Sequence, residues 1–315
     1  MKAFRRNGRR GAALMLSLWA LFLLSAMVIS WATDIGSRLA LSGKANRSLE
    51  AVAMACSGAE IAMHPQVKPG SSVLEGRFGK DQSYEVHMTG EGGRLNINWL
   101  TQMPENQARL EVLRRYLENK GFDLDERDRM IDTLLDWVDP DNLVRLNGDE
   151  GEGDYKPANR PLRRLDELKK IRGWEEFTSS NDWDADFTLD SQAGGQPGQP
   201  AGQPGGINLA WASREVILAL PGVSEDRVDQ FLAMRKGADE IDGTEDDWGG
   251  VVPNMQLVEV ALGSPPGQLA QLCVIEPRES VWRVISVGKS REVTRRVRAV
   301  FVRQLPPQLK SWKEF

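Results

Sequence analysis

The stretch GRRGAALMLSLWALFLLSAMVISWATD (residues 8–34) decides the fold at the N-terminus. Residues 12–33 carry no charge, and a helix of that length roughly matches the hydrocarbon thickness of a bilayer. The apolar run of a secretory signal is about 7–15 residues long, so this longer run favours a retained membrane span. Basic residues precede Gly11 and no acid precedes Asp34, which predicts a cytoplasmic N-terminus with the rest of the chain on the other side.

The apolar pattern continues beyond the span. No proline lies between Gly11 and Pro65, and Ile35, Leu39 and Leu49 belong to a series at helical spacing with charged residues between them. One helix is therefore expected to run from the membrane into water, with an amphipathic outer part that packs on a soluble domain.

A short basic leader, Gly11, an apolar helix and an amphipathic extension together resemble the prepilin class. The resemblance implies that prepilin peptidase cuts between Gly11 and Ala12 and that the new N-terminus is methylated. It also implies a helix that serves first as a membrane anchor and later as the stem of a filament. The class usually has glutamate where this chain has Leu16. A subunit with no neighbour above it has no neighbouring ammonium to neutralise, so Leu16 fits a filament tip. An uncleaved single-span anchor is the alternative.

Composition narrows the class of partner. The formal charge is −5, and removal of residues 1–11, with five cations and no acid, takes it to −10. This balance argues against a general nucleic-acid surface. Cys56 lies on the apolar face of the predicted helix, which favours a free thiol, although a location outside the cytoplasm would permit a bridge to Cys273.

Extended segments follow the helix and return near the C-terminus. VLEGRF, SYEVHMT and GRLNINWL lie within residues 72–100, and VWRVISVG and VTRRVRAVFVRQL flank an expected turn at 289–291. Helical spacing dominates between these strands, at 105–120, 125–138, 161–171 and 213–220. The pattern predicts an α+β fold: a pilin-like long N-terminal helix packed on an antiparallel sheet, with a large all-α inserted domain.

The expected domain organisation has five parts along the chain. They are a leader at 1–11, the transmembrane part of the stem helix at 12–33, the remaining stem helix and first strands at 34–103, the inserted domain at 104–265 with a low-complexity loop at 193–206, and C-terminal strands at 266–315.

Three segments have acid spacing that could bind a metal. DWVDPDNLVRLNGDEGEGDY (residues 136–155) combines many carboxylates with glycines, which suits a hard cation such as calcium, whereas a solvated acidic loop is the alternative. NDWDADFTLD (181–190) and RKGADEIDGTEDDW (235–248) are weaker candidates, because the first lacks the glycine and late glutamate of an EF-hand and the second also reads as a solvated turn.

The segment at 207–237 places Leu-Pro-Gly-Val between two helical stretches and looks like a helix-hairpin-helix unit. Such a unit can bind DNA backbone through hairpin amides and nearby cations. Acids follow the hairpin directly, so a packing module is favoured over a membrane-anchored DNA receptor. The sequence contains no catalytic constellation, and a calcium-dependent periplasmic hydrolase would need a general base that no motif identifies.

The basic leader with Gly11 and Leu16, GRLNIN at 93–98, LLDWVDPD at 134–141, GDEGEGDY at 148–155 and NRPLRRLDELKKIRG at 159–173 resemble the general secretion pathway protein K family, the large minor pseudopilins of type II secretion. The resemblance implies a non-catalytic inner-membrane protein with a periplasmic C-terminal domain and no nucleic-acid partner. Its partners would be the minor pseudopilins I and J in a tip complex, the major pseudopilin below, and prepilin peptidase. It also implies a calcium site in the inserted domain, for which the expected ligands are Asp136, Asp139, Asp141, Glu150 and Asp154.

Overall fold

The computed structural model describes residues 8–151, 153–180, 182–191 and 206–315. Residues 1–7 of the expected leader, and the expected low-complexity loop up to residue 205, lie outside this part. The helices are α1 (Gly8–Ala62), α2 (Ile97–Leu100), α3 (Gln107–Asn119), α4 (Leu124–Val138), α5 (Arg214–Leu218), α6 (Glu225–Lys236) and α7 (Met255–Leu262). The strands are β1 (Glu75–Phe78), β2 (Gln82–Gly90), β3 (Leu95–Asn96), β4 (Phe187–Thr188), β5 (Ile207–Asn208), β6 (Cys273–Val274), β7 (Val281–Ser290), β8 (Val293–Val302) and β9 (Gln308–Glu314).

Helix α1 is continuous from the apolar N-terminal stretch into the soluble domain, as the sequence predicts. Its last turns pack on β2, β7 and β8 through a stripe of alanines, each fully buried: Ala51, Ala55, Ala59 and Ala62. Small residues are required because the backbones approach closely. A Cβ atom on Gly288 would lie 2.0 Å from the carbonyl oxygen of Ala51, and one on Gly58 would lie 2.5 Å from the Ser286 hydroxyl.

The main sheet has five strands in the order β1-β2-β7-β8-β9, and every neighbouring pair is antiparallel. Together with α1 it confirms the expected helix-on-sheet α+β fold. The β7–β8 hairpin turns at Arg291 and Glu292, because Ser290 still pairs with Val293. The expected turn at 289–291 is therefore displaced by about one residue. Strand β9, whose residues are mostly exposed, has no counterpart in the sequence-based prediction.

The expected strand at 93–100 is wrong. Only Leu95 and Asn96 are extended, and they pair with β4 in a separate two-stranded parallel sheet. The Asn96 side chain then accepts a hydrogen bond from the Trp99 amide at 3.2 Å and begins α2. Asparagine at this capping position ends the strand, and the apolar residues that follow are buried on a helical turn.

The inserted part lies between β2 and β7 and has its own hydrophobic core, which includes the fully buried Leu113, Leu134, Trp174 and Phe187. It is mostly helical, as expected, with short parallel pairs β3-β4 and β5-β6 in addition. Residues 161–171 form a 3-10 helix at Leu165–Lys170 in place of the expected α-helix. Both cysteines are free: Cys56 is half-buried in α1 and Cys273 is buried in the insertion.

Candidate metal centre

The first acidic segment begins on α4. Asp123 caps the N-terminus of this helix in a capping box with Glu126, and Leu134 lies on its buried face. The same face carries Asp136, which is fully buried, and the helix ends at Asp139, which is 1% exposed. The sequence thus places two carboxylates in the protein interior at the C-terminal end of a helix, where the helix dipole gives them no compensation.

The chain then turns back and brings Glu150 to these carboxylates. One oxygen each of Asp136, Asp139 and Glu150 lie within 4.8 Å of one another. The return depends on Gly148, because a Cβ atom there would lie 1.9 Å from Oδ2 of Asp136. A glycine at this position is therefore required for the carboxylates to converge.

A single guanidinium compensates part of this negative charge. Arg145 donates from Nη1 to Asp136 Oδ1 at 2.6 Å and also to Asp139, and from Nη2 to Glu105 at 2.6 Å. Although partial burial acts to lower it, the pKa of Arg145 is raised by these hydrogen bonds. The guanidinium thus occupies one oxygen of Asp136 and one oxygen of Asp139.

The remaining oxygens are not satisfied. Asp139 Oδ1 and both oxygens of Glu150 are buried and have no hydrogen-bond partner among the described residues, and the same is true of the Tyr155 hydroxyl. Burial raises the pKa of Glu150, and the nearby Asp136 and Asp139 raise it further. Burial likewise raises the pKa of Asp139, against the opposing effect of Arg145. Buried unpaired carboxylate oxygens at short mutual distances are the donor set that a hard divalent cation takes, so the residues fit calcium.

The other two expected ligands lie apart from this group. Asp141 is exposed and accepts a hydrogen bond from the Leu143 amide at 2.9 Å, and Asp154 is exposed next to Gly153. The sequence-based ligand set omitted Arg145, although it is the one cation in residues 136–155. The presence of a single cation among so many acids could have indicated that its side chain would lie against the carboxylates.

The second acidic segment serves the interface between the insertion and the main sheet. Asp184 is buried and accepts hydrogen bonds from Arg298, and its Oδ2 lies 3.3 Å from the Lys313 ammonium. Asp186 accepts from the Tyr116 hydroxyl at 2.9 Å and from the Ser213 hydroxyl at 2.7 Å. Both carboxylates are therefore occupied by protein donors.

The third acidic segment closes on itself. Asp246 accepts from the Ala238 amide at 2.7 Å, and Asp247 accepts from the Gly243 amide at 2.7 Å. Asp242 pairs with Arg235 at 2.8 Å. These contacts make the segment a turn in which Asp246 and Asp247 accept from its own backbone and Asp242 pairs with an arginine.

The helix-hairpin-helix-like segment packs inside the insertion. Its Arg235 is 2% exposed and donates to the carbonyls of Leu209 and Ala212. Arg214 pairs with Glu225 and Asp229, and the hairpin glycine Gly222 faces Pro265 and Gln268. Arg227 also donates to the Val260 carbonyl, so the three arginines of the segment are engaged within the protein, which does not favour the DNA-binding alternative.

The expected processing residues lie at the start of the long helix. Gly11 and Ala12 belong to the first turns of α1, and the Leu16 side chain is 72% exposed. The helix segment Ala12–Ala62 contains a window of mean hydropathy 2.4, none of it buried in the protein. By length and composition, this helix can cross a membrane once.

Comparisons with known proteins agree with this organisation. Residues 93–179 match the family model described as type II secretion system (T2SS), protein K. Type II secretion system protein K of Pectobacterium carotovorum subsp. carotovorum is 23% identical over 195 residues, which are 53% of this chain and 59% of that relative. The chain thus spans about three fifths of the length of the curated relative that it matches.

Among solved structures, the crystal structure of the GspK-GspI-GspJ complex from the enterotoxigenic Escherichia coli type 2 secretion system is similar, with a TM-score of 0.48 and 14% identity. The match covers 90% of this chain and 99% of that one. Residues 93–179, which match the family model, include α4 and the carboxylates of Asp136, Asp139 and Glu150. The family model and the curated relative both make this chain similar to type II secretion system protein K over part of its length.

Proposed function

We propose that this chain is a minor pseudopilin that caps the tip of the periplasmic pseudopilus and supports export of folded proteins across the outer membrane, without catalysis of its own. One observation carries the proposal: α1 joins an exposed apolar stretch, long enough for a membrane, to a helix packed on an antiparallel sheet. Such a helix can move from the bilayer into a filament stem with the sheet attached.

The position at the tip is supported by the insertion and by Leu16. The insertion leaves the main sheet between β2 and β7 and forms a separate core, a bulk that subunits stacked above would have to accommodate. Leu16 puts an apolar side chain where a carboxylate would otherwise neutralise the ammonium of a subunit above. Both features suit a subunit with free space above it.

The proposed partners are the minor pseudopilins I and J, with the major pseudopilin below. Residues 16–28 of α1 expose a continuous apolar surface, and Leu39 and Leu49 extend it beyond the membrane with exposed fractions of 68% and 70%. Apolar side chains exposed in water at helical spacing are expected to pack on other helices. The basic leader supports an inner-membrane location with the N-terminus in the cytoplasm and the C-terminal domain in the periplasm.

The first experiment measures the intact mass of the membrane-extracted chain after expression with and without prepilin peptidase. We expect a peptidase-dependent species that begins at methylated Ala12, and Gly11→Val is expected to block it. A chain that still begins at Met1 in the presence of an active peptidase would refute processing and leave an ordinary anchor. Copurification with tagged pseudopilins I and J then tests the assembly separately.

We also propose calcium as the ligand of the carboxylate group of Asp136, Asp139 and Glu150. Calcium takes six to eight oxygens, so backbone carbonyls or water would complete the set around these side chains. We expect calcium to raise the melting temperature of the intact chain and a chelator to lower it, by mass action on the folded state. Glu150→Gln should remove this response. Asp154→Asn, an exposed residue of the same segment, is the matched control; equal loss in both variants would contradict the grouping.

A further inference from the structure

The end of the main sheet that faces the apolar part of α1 is formed by two hairpin turns. Gln82 pairs with Ser290, so the β1–β2 turn and the β7–β8 turn lie side by side. The Ser290 hydroxyl donates to Glu50 of α1 at 2.6 Å, and Arg295 donates to Ser48 at 3.0 Å. From this level α1 continues toward residues 12–33, so both turns point along the helix toward its apolar end.

The turns lie close to the expected membrane surface. Together with Gly43 of α1 they border a recess. Gly43 is ten residues beyond Thr33, the last residue of the expected span, which is about 15 Å along a helix. A headgroup layer occupies about 5–7 Å on each side of the hydrocarbon. The remaining gap is close to the screening length of about 8 Å at physiological salt. An ordinary helix tilt of about 20° lowers a domain packed beside the helix and narrows this gap.

The turns are basic although the whole chain is acidic. Residues 77–81 and 289–292 carry four cations against two carboxylates, whereas the formal charge of the chain is −5. The cations are Arg77, Lys80, Lys289 and Arg291, and all four are exposed. Arg291 pairs with Asp81 at 2.9 Å. The other three have no carboxylate within 4.0 Å in the described part of the chain.

The β1–β2 turn also presents an aromatic ring. Phe78 is 50% exposed, between Arg77 and a glycine in the left-handed region, Gly79 with φ +63°. A Cβ atom on Gly79 would meet nothing within 4 Å, so the turn projects into open space. Exposed phenylalanine near basic residues is also found in protein segments that bind at the boundary between headgroups and acyl chains.

Between the turns and α1 lies an open recess of about 600 Å³, lined among others by Arg47, Glu50, Phe78, Lys80 and Arg291. We propose that these two turns and this recess form a surface for the headgroups of anionic phospholipids. The exposed cations bind the phosphates, and Phe78 lies among the headgroups. This contact fixes the tilt of the soluble domain on the membrane before assembly. The inference rests on one part of the proposed function, namely that residues 12–33 span a bilayer.

The test is amide hydrogen exchange of the full chain in nanodiscs that hold one copy each. Discs of phosphatidylcholine with phosphatidylglycerol are compared with discs of phosphatidylcholine alone. We expect amides at 79–82 and 290–293 to exchange at least about fivefold more slowly in the anionic discs, the factor that one cation contributes near such a surface. High salt should remove the difference, because the attraction is screened.

Two charge-reversal variants complete the test, one at the two turns and one at a single lysine away from them. The double variant Lys80→Glu and Lys289→Glu should remove the lipid-dependent protection. Lys310→Glu, an exposed lysine near the far end of the sheet, should retain it. Equal exchange of the turns in both lipids, or protection that survives high salt, would overturn the proposal. Protection of amides 14–31 in the same data reports the membrane span itself, so failure of the span and failure of the headgroup surface are distinguishable.

Discussion

Two acidic segments of the insertion have similar composition and opposite surroundings. The segment with Asp184 meets cations from the main sheet, Arg298 and Lys313, which hold the pKa of Asp184 below its usual range although burial alone would raise it. The segment with Asp139 and Glu150 meets Arg145, and the pKa of each of these two carboxyls is raised. The contrast teaches that the number of cations facing an acidic segment, and not its number of carboxylates, separates a structural ion pair from a candidate metal site.

The largest loss of stability is expected at the interface between the insertion and the main sheet, where arginines of the sheet bind buried acceptors of the insertion. Arg283 is 3% exposed and donates to Glu91, at 2.6 and 2.8 Å, and to the carbonyls of Asp184, Ala185 and Phe187. Arg283→Ala would remove the two short hydrogen bonds to the buried Glu91 and leave Arg94, at 3.3 Å, as its counter-ion, which costs up to about 3–5 kcal/mol. Urea unfolding of the intact chain in detergent measures the loss.

Arg291→Ala is the control, because its pair with Asp81 is exposed and such pairs contribute about 0–1 kcal/mol. If both variants lost less than about 1 kcal/mol, the interface would not depend on its buried guanidinium.

The next largest effect is expected on calcium binding, which requires the carboxylates of Asp136, Asp139 and Glu150 to lie close together. Gly148→Ala places a methyl group against Asp136 and should separate the carboxylates. The calcium-dependent rise in stability, about 2.7 kcal/mol at one hundred times the dissociation constant, should then disappear. Gly153→Ala is the control in the same segment, because φ is +69° there and nothing lies within 4 Å of the added carbon. Its strain should lower stability by about 1–2 kcal/mol and leave the calcium response intact.

A smaller effect is expected at Arg145, which distinguishes the two segments most directly. If the guanidinium occupies the carboxylates in the absence of metal, Arg145→Gln should destabilise the chelated protein and strengthen calcium binding, by about tenfold for a difference of 1.4 kcal/mol. Calorimetric titration with calcium measures the affinity. Arg172→Gln is the control, since Arg172 pairs with Asp149 outside the carboxylate group. Weaker calcium binding in Arg145→Gln would mean that the arginine supports the site.

The longer helices and strands could be predicted from the sequence, because their apolar residues recur with a clear period. Helix α1, strands β2, β7 and β8, and helices α3 and α4 follow from apolar spacing alone, and α4 places Asp136 and Asp139 close together. Glu150 could be proposed as a ligand from the sequence, but its convergence with Asp136 and Asp139, without Asp141 and Asp154, depends on the path of the chain after α4. Residues 93–100 were misread since a buried helical turn and a buried strand share the same apolar composition.

The partners of Asp184 were also beyond the sequence. Arg298 is 114 positions away, and only the pairing of β8 within the main sheet brings it to the insertion. An acidic segment therefore cannot be assigned from its own residues when its counter-ions belong to another part of the fold. The pH dependence of stability is a direct way to separate the two cases.

The smallest expected effect is such a pH dependence at Asp184. A carboxyl whose pKa is lower in the folded than in the unfolded state stabilises the fold above its unfolded value, here 3.8, and loses that contribution as the pH falls through the folded value. The intact chain should therefore lose stability more steeply than Asp184→Asn when acidified below about pH 5. Denaturant unfolding across this range measures both slopes. Parallel slopes would show that Arg298 and Lys313 do not hold the Asp184 charge, and the distinction between the two acidic segments would then rest on geometry alone.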